Sequence, residues 1–179
     1  MKFPKLYLAC SDDEYSPRFG YAFVTKENTV ATTAHILVKH KASDLFKDDF
    51  ITSLPDNGIM IPINALRLIC RKSTTGLLLS DDKQYIELMQ KDGSVIRYNC
   101  QPGHEFPKYD HLFYKIEDCK PLSKIAVSAI KIYELAQAMD VDDCVLRFHF
   151  YGPTKAIIVI PNRSDKDVIG LIMPCMINE

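Results

Sequence analysis

The feature that most constrains the fold of this chain is an internal repeat with a period of about sixty residues. Residues 55–118 and 119–179 each show the order strand, helix, three strands, and residues 1–54 show the strand part alone. A unit of this size does not bury its apolar face by itself, so neighbouring units share a core. The repeat predicts an α+β fold with a strand-rich partial half-domain at 1–54, a half-domain at 55–118 and a C-terminal half-domain at 119–179.

The first unit consists of strand-like runs separated by turns. Lys5–Cys10 is short and apolar, and Tyr21–Thr25 and Thr29–Val38 flank a three-residue connection, which predicts a hairpin. The charged run Lys39–Phe50 fits either a short helix or a loop. Pro55–Gly58, which reads Pro-Asp-Asn-Gly, is a strong turn signal and marks the boundary of the unit.

The second unit begins with the strand-like run Gly58–Ile63, in which Pro62 suits the first turn of a following helix. Apolar residues recur at helical spacing over Ile63–Lys72, while Arg67 and Arg71 lie together away from that apolar stripe. Three strand-like runs complete the unit: Gly76–Leu79, Tyr85–Met89 and Val95–Asn99.

The third unit repeats this order. Lys124–Val127 predicts a short strand, Ser128 is a candidate N-cap, and Ala129–Met139 has the spacing of an amphipathic helix. Strands are predicted at Cys144–Phe150, Ala156–Ile160 and Val168–Met173. Because each helix buries only one stripe, we expect both helices to lie side by side on one face of a curved antiparallel sheet.

The composition bears on location and chemistry. The chain has 22 basic and 23 acidic residues, which argues against tight phosphate-driven DNA binding and leaves room for loose contact. No run approaches the roughly 20 apolar residues of a membrane span, and the N-terminus lacks a signal-peptide pattern. The six cysteines and five histidines lack the spacing of zinc or redox motifs. We therefore expect a cytoplasmic protein with reduced thiols and no cofactor or metal.

Three short stretches resemble stretches of one known family, in the same order along the chain. Ala31–Leu37 is similar to Ala-Thr-Asp-Gly-His-Arg-Leu, although Thr33, Ala34 and Ile36 replace the Asp, Gly and Arg. Gly103–Tyr109 is similar to Gly-x-Phe-Pro-x-Tyr with one extra residue, and Leu171–Ile177 to Met-Pro-Met-Arg-Leu with an insertion and no Arg. Together with the repeat, they resemble the bacterial sliding clamp, the ring-shaped beta subunit of the replicative DNA polymerase.

The resemblance implies a DNA-clamp-like fold without catalysis, acting in DNA replication and processivity. Its peptide pocket maps by motif onto Thr32, His35, Leu37, Met173, Pro174 and Met176. The residues on helices that would face DNA are Arg67, Arg71, Lys72 and Lys131. The implied partners are clamp-binding peptides of replication or repair proteins, double-stranded DNA in loose non-specific contact, and further copies of this chain. We also expect the two pocket stretches to meet in space, where Met and Leu offer adaptable apolar surface.

Two alternatives remain open from the sequence. A full clamp subunit has six half-domains, so a chain with two complete units and one partial unit also fits a clamp-like interaction module that does not encircle DNA. The run Thr29–His35 after Tyr21–Val24 also resembles trypsin-like proteases, in which His35 would be the general base. That reading requires two all-β barrels and a nucleophile loop of the Gly-x-Ser-Gly kind, and the sequence contains no such loop.

Overall fold

The computed structural model describes residues 3–12, 16–103, 106–118, 124–140, 145–162 and 167–176. Their strands form two antiparallel sheets, one with eight strands and one with three. Helices cover one face of the larger sheet. Within these residues, no helix has both the length and the apolar character that a membrane crossing requires.

Each unit contributes three consecutive antiparallel strands, called here a strand triplet. The first unit contains β1 (Tyr21–Val24), β2 (Asn28–Thr32), β3 (Ile36–Lys41) and α1 (Asp48–Ser53). The second contains β4 (Ile59–Pro62), α2 (Ile63–Ile69), β5 (Thr74–Leu79), β6 (Tyr85–Gln90), β7 (Val95–Asn99) and β8 (Gln101–Pro102). The third contains α3 (Ala129–Met139), β9 (Leu146–His149), β10 (Ile157–Pro161) and β11 (Val168–Ile172).

The eight-stranded sheet joins the first and third strand triplets through their last strands. Its order is β8-β4-β1-β2-β3-β11-β10-β9. β3 pairs with β11 in antiparallel fashion, from Ile36 opposite Ile172 to His40 opposite Val168. The second triplet forms the separate three-stranded sheet in the order β5-β6-β7. Units far apart in sequence therefore share one sheet.

The larger sheet has two apolar faces, because side chains alternate along each strand. One face presents Val24 and Ile61 to the helices and includes Leu135 of α3 in its core. The opposite face presents Leu37 and Ile158 and is covered by residues 106–118, called here the strap. The strap thus lies on the side of the sheet away from the helices.

Helices α2 and α3 share one face of the eight-stranded sheet, as predicted. α2 contacts β4 and β1, whereas α3 contacts β3 and β11. A 3-10 turn at Leu6–Ala9 contacts both helices, and Leu6 and Ala9 are fully buried. The first unit therefore contributes this 3-10 turn to the helical layer.

Two expectations for the first unit are wrong. Lys5–Cys10 forms the 3-10 turn rather than a strand, because a short apolar run fits either element and here packs against helices. The run Thr29–Val38 is two strands, since β2 ends at Thr32 and β3 begins at Ile36. Threonine hydroxyls accept backbone N–H groups inside the intervening turn and compete with a continuous strand.

Helix α2 is shorter than its predicted range Ile63–Lys72. It ends at Ile69, and the hydroxyl of Thr74 donates a hydrogen bond of 2.8 Å to the carbonyl oxygen of Leu68. The side chain satisfies a carbonyl group that another helical turn would have used. Arg71 and Lys72, predicted to lie on the helix, follow its end.

The remaining differences are smaller. Lys39–Phe50 contains the end of β3, a 3-10 turn at Ala42–Asp44 and the start of α1, rather than one helix or loop. Lys124–Val127 contributes only an isolated bridge, from Ala126 to Cys175. Helix α3 has its predicted bounds, and the hydroxyl of Ser128 accepts the backbone N–H of Lys131 as an N-cap.

Candidate functional site

The end of β11 lies beside the turn that joins β2 to β3. The backbone N–H of Met173 donates to the carbonyl oxygen of His35 at 2.8 Å. Leu171 stands opposite Leu37 in the β3–β11 register, and Thr32 stands opposite Leu37 in the β2–β3 register. The two stretches that the resemblance pairs are therefore neighbours in space.

The β2–β3 turn is held by a threonine hydroxyl. The Thr32 hydroxyl donates to the carbonyl oxygen of Ile36 at 2.8 Å and accepts the backbone N–H of Ala34 at 3.1 Å. Ala34 adopts a φ of 71°, in the left-handed region that residues other than glycine seldom occupy. Ala34 and His35 are exposed at the tip of this turn.

An apolar cavity of about 230 Å³ opens between this turn, the end of β11 and the strap. It is lined by Thr32, Ala34, His35, Ile36, Leu37, Leu171 and Met173, together with Phe19, Ala156 and the strap residues Pro107, Lys108, His111 and Leu112. Four of the six predicted pocket residues thus lie around one cavity. Their role in binding stays a prediction.

The other two predicted pocket residues lie outside the cavity lining. After Met173 the chain leaves the sheet, and Cys175 forms the bridge to Ala126. Pro174 and Met176 do not line the cavity, and Met176 is 86% exposed.

Aromatic contacts hold the strap against the sheet. Phe106 stacks on Phe23 of β1 with ring centroids 5.3 Å apart. The Lys39 ammonium lies 5.5 Å from the ring centroid of Phe113 and 5.9 Å from that of Tyr109. Burial raises the pKa of Tyr109 to about 12. The strap thus packs on the sheet through aromatic rings and forms one wall of the cavity.

Several cavity residues carry no local signal in the sequence. Phe19 lies in a 3-10 turn before β1, and His111 and Leu112 lie in a 3-10 turn of the strap. Of the strap residues that line the cavity, Pro107 and Lys108 lie within the Gly103–Tyr109 motif and connect the strap to the family resemblance.

A second, more polar cavity of about 370 Å³ adjoins the first through Phe19, Ala34 and His35. Its other lining residues are Leu8, Cys10, Ser11, Asp12, Ser16, Thr33, Lys131 and Glu134. The Lys131 ammonium lies 2.7 Å from the Glu134 carboxylate within α3. The surface around the β2–β3 turn thus changes from apolar to charged across a short distance.

The four predicted DNA-facing cations lie in different settings. Arg67 on α2 forms an ion pair with Asp12, with an N–O distance of 2.6 Å, and Lys131 is paired with Glu134. Arg71 and Lys72 are exposed beyond the end of α2. The exposed side of α3 also carries two apolar residues, Ile130 and Tyr133.

His35 stands in a fold unlike that of a trypsin-like protease. The strands form an open eight-stranded sheet and a separate three-stranded sheet, with helices where the barrel strands would be required. Over the part of the chain described, no group of three or more His, Cys, Asp or Glu side chains is placed to hold a metal ion.

The observations define the class: the described residues form an α+β structure with the fold of bacterial sliding clamps, as the resemblance implied. The H. pylori beta clamp in complex with diflunisal matches with a TM-score of 0.68 at 12% identity, covering 98% of this chain and 65% of that chain. Caulobacter crescentus pol III beta matches with a TM-score of 0.67 at 14% identity, covering 97% and 62%. The Bartonella birtlesii sliding clamp bound to griselimycin gives 0.63 at 15% identity, covering 97% and 63%.

These similarities concern the fold. No family model matches the sequence, and no curated protein matches it significantly. The alignments extend over less than two thirds of the clamp chains, for example 62% of the beta subunit from Streptococcus pyogenes. The chain therefore corresponds to part of a clamp subunit in length.

Proposed function

We propose that this chain is a non-catalytic, clamp-like interaction module of cytoplasmic DNA replication, which binds short peptide segments of replication or repair proteins. One observation carries the proposal. Two stretches on β2–β3 and β11, separated by most of the chain, line a single apolar cavity together with the strap. Neither stretch forms this cavity alone.

The cavity has the chemistry of a site for apolar anchors. Leu37 and Leu171 form its buried floor, and Met173, which is 38% exposed, offers a flexible side chain at its rim. His35, Lys108 and His111 give that rim polar groups. Such a site suits a peptide that inserts one or two side chains of the size of Leu or Phe.

The test is a fluorescence anisotropy titration with a peptide that carries Gln followed by Leu and Phe anchors. We expect a dissociation constant on the order of micromolar, as for a short segment held by few apolar anchors. Met173→Glu should weaken binding about tenfold or more, because it places a carboxylate at the apolar rim. Met176→Glu is the matched control, because Met176 is exposed outside the cavity, and it should bind the peptide as the unmodified chain does.

Met173 is a better test position than Leu37. Leu37 is buried in the sheet, so a charged residue there would disturb folding as well as binding. Circular dichroism should show an unchanged fold for both methionine variants. Equal loss of binding in the two variants, or no binding by the unmodified chain, would contradict the proposal.

DNA contact has weaker support than peptide binding. Two of the four predicted cations are engaged in ion pairs, and exposed Ile130 and Tyr133 lie on α3. Loose, salt-sensitive contact through Arg71 and Lys72 is the form of DNA binding that this surface best supports. These features favour an interaction module over a ring that encircles DNA.

A further inference from the structure

In the described residues, the three strand triplets differ in how their last strands pair. The last strand of the first triplet, β3, pairs with the last strand of the third, β11. The last strand of the second triplet, β7, pairs with β6 on one side, and no strand of the described residues lies on its other side. Among the described residues, β7 therefore lacks the pairing between last strands that β3 and β11 make with each other.

Strand β7 is structurally equivalent to β11. Met60 lies three residues before α2 and pairs with Gln101, and Ala126 lies three residues before α3 and forms a bridge with Cys175. Gln101 and Cys175 thus occupy equivalent positions, and counting back five residues from each makes Ile96 equivalent to Gly170. In the β3–β11 joint, Gly170 stands opposite Val38 at the centre of the pairing.

The open edge of β7 lacks the features with which proteins usually block strand pairing. Its five residues include no proline, and its register with β6 is continuous. By contrast, β5 at the opposite edge of this sheet has a register irregularity between Thr74 and Gly76, and β8 is two residues long and contains Pro102. The one charged residue of β7, Arg97, is paired with Glu87 of its own sheet at 2.8 Å.

Backbone groups on this edge point outward in a regular pattern. Gln90 N–H donates to the carbonyl oxygen of Ser94, and Cys100 N–H donates to that of Gln84. Since hydrogen bonding alternates along an antiparallel strand, the backbone groups of Val95, Arg97 and Asn99 point away from β6.

We infer that two copies of this chain associate through their β7 strands, antiparallel about a two-fold axis at Ile96, to form a continuous six-stranded sheet. The β3–β11 joint supplies the register, because its centre is equivalent to Ile96. In this register Val95 of one copy stands opposite Arg97 of the other, so like charges are not directly opposed. The two edges satisfy each other's outward backbone groups, and the exposed Val95 of each copy gains the aliphatic part of the other copy's Arg97 as a neighbour.

Matched lysine variants test this association. Val95 and Leu78 lie on the same face of the three-stranded sheet and are both 51% exposed, but only Val95 lies on β7. Sedimentation equilibrium should show the unmodified chain approaching twice the mass of one chain as its concentration rises through the micromolar range. Val95→Lys, which opposes Arg97 of the second copy, should stay monomeric, and Leu78→Lys should associate as the unmodified chain does.

Cysteine crosslinking tests the register independently. Residues facing each other at a non-hydrogen-bonded antiparallel position have Cα atoms about 4.5 Å apart, within the range that a disulfide spans. Ile96→Cys should form a covalent dimer through residue 96 under mild oxidation, as identified by peptide mass. Leu78→Cys should form no dimer through residue 78.

The proposed association and the proposed peptide binding can be disproved independently of each other. Val95→Lys should keep its affinity for the anchored peptide, because β7 lies outside the cavity. A single-chain mass at every concentration would overturn the inference, as would equal behaviour of the Val95→Lys and Leu78→Lys variants. A crosslink through residue 78 instead of residue 96 would overturn the register and the equivalence on which it rests.

Discussion

Ala34 occupies a backbone conformation that suits glycine, and the corresponding sliding-clamp stretch has Gly at this position. A φ of 71° costs an alanine roughly 1–2 kcal/mol, and glycine removes that cost. Glycine also gives the unfolded chain more conformational freedom, which lowers stability by about 0.4–1 kcal/mol. We therefore expect Ala34→Gly to stabilise the protein by about 0.5–1 kcal/mol, measured by urea unfolding.

The control for this prediction is Ala31→Gly, three residues earlier in β2. Ala31 is buried in extended backbone, so glycine there removes a packed methyl group and adds freedom to the unfolded chain. That variant should be less stable than the unmodified protein. A loss of stability in both variants would show that the turn gains nothing from glycine.

At the scale of residues, the motifs located part of the cavity. Thr32, His35, Leu37 and Met173 were predicted together, because each lies in a stretch that resembles the clamp. Phe19, His111 and Leu112 were missed, since Phe19 lies in a 3-10 turn before β1 and the other two lie in the strap, and no local spacing signals that these segments meet at one cavity. Pro174 and Met176 are absent from the lining of this cavity, and their role in peptide binding stays a prediction.

At the scale of elements, His40 connects β3 to the C-terminal turn of α3. Its ring Nε2 lies 2.9 Å from the carbonyl oxygen of Ala138, and since a carbonyl only accepts, Nε2 carries the proton. The side chain is 1% exposed. His40→Ala should lower the free energy of unfolding by about 2–3 kcal/mol, because it creates a cavity and leaves a buried carbonyl unpaired.

Urea unfolding of His35→Ala provides the comparison for His40→Ala. The ring of His35 is exposed at the tip of the β2–β3 turn, so its loss should change stability by less than about 0.5 kcal/mol. If both histidine variants lose the same stability, the contact between β3 and α3 is not what His40 contributes.

Element prediction succeeded where local chemistry and tertiary packing agreed. Helix α3 has its predicted bounds because Ser128 caps it and its apolar stripe faces the sheet. The run Ile63–Lys72 had a helical pattern as well, but the Thr74 hydroxyl captures a carbonyl and the helix ends early. The run Thr29–Val38 has a strand pattern on both sides of a turn. The turn is formed by hydrogen bonds of threonine hydroxyls, which the apolar pattern does not indicate.

At the scale of the whole molecule, the repeat predicted the fold class but not how the units join. The order strand, helix, three strands indicates what each unit contains. Which edge strands meet depends on packing between units, and β3 pairs with β11 rather than with a strand of the second triplet. The same packing leaves β7 at an open edge, which the sequence alone does not distinguish from β3 or β11.

Buried thiols and Tyr109 make the stability of the protein depend on pH in the alkaline range. Burial raises the pKa of Cys70 and of Cys100 from 9.0 to about 11, that of Tyr109 from 10.0 to about 12, and that of Cys10 as well. The unfolded chain therefore releases these protons at lower pH than the folded protein does. Their stabilising contribution is fully present below about pH 9 and is lost as the pH rises through about 11 for Cys70 and Cys100 and through about 12 for Tyr109.

We therefore expect the urea midpoint, measured under reducing conditions, to fall progressively between about pH 9 and pH 11. Removing Cys70 and Cys100 together by substitution with alanine should make this decline shallower, because two of the coupled groups no longer titrate. Cys175→Ala should leave the slope unchanged, since that thiol is exposed in the folded protein as well as in the unfolded chain. An unchanged slope in the Cys70 and Cys100 double variant would show that the buried thiols do not control the alkaline response.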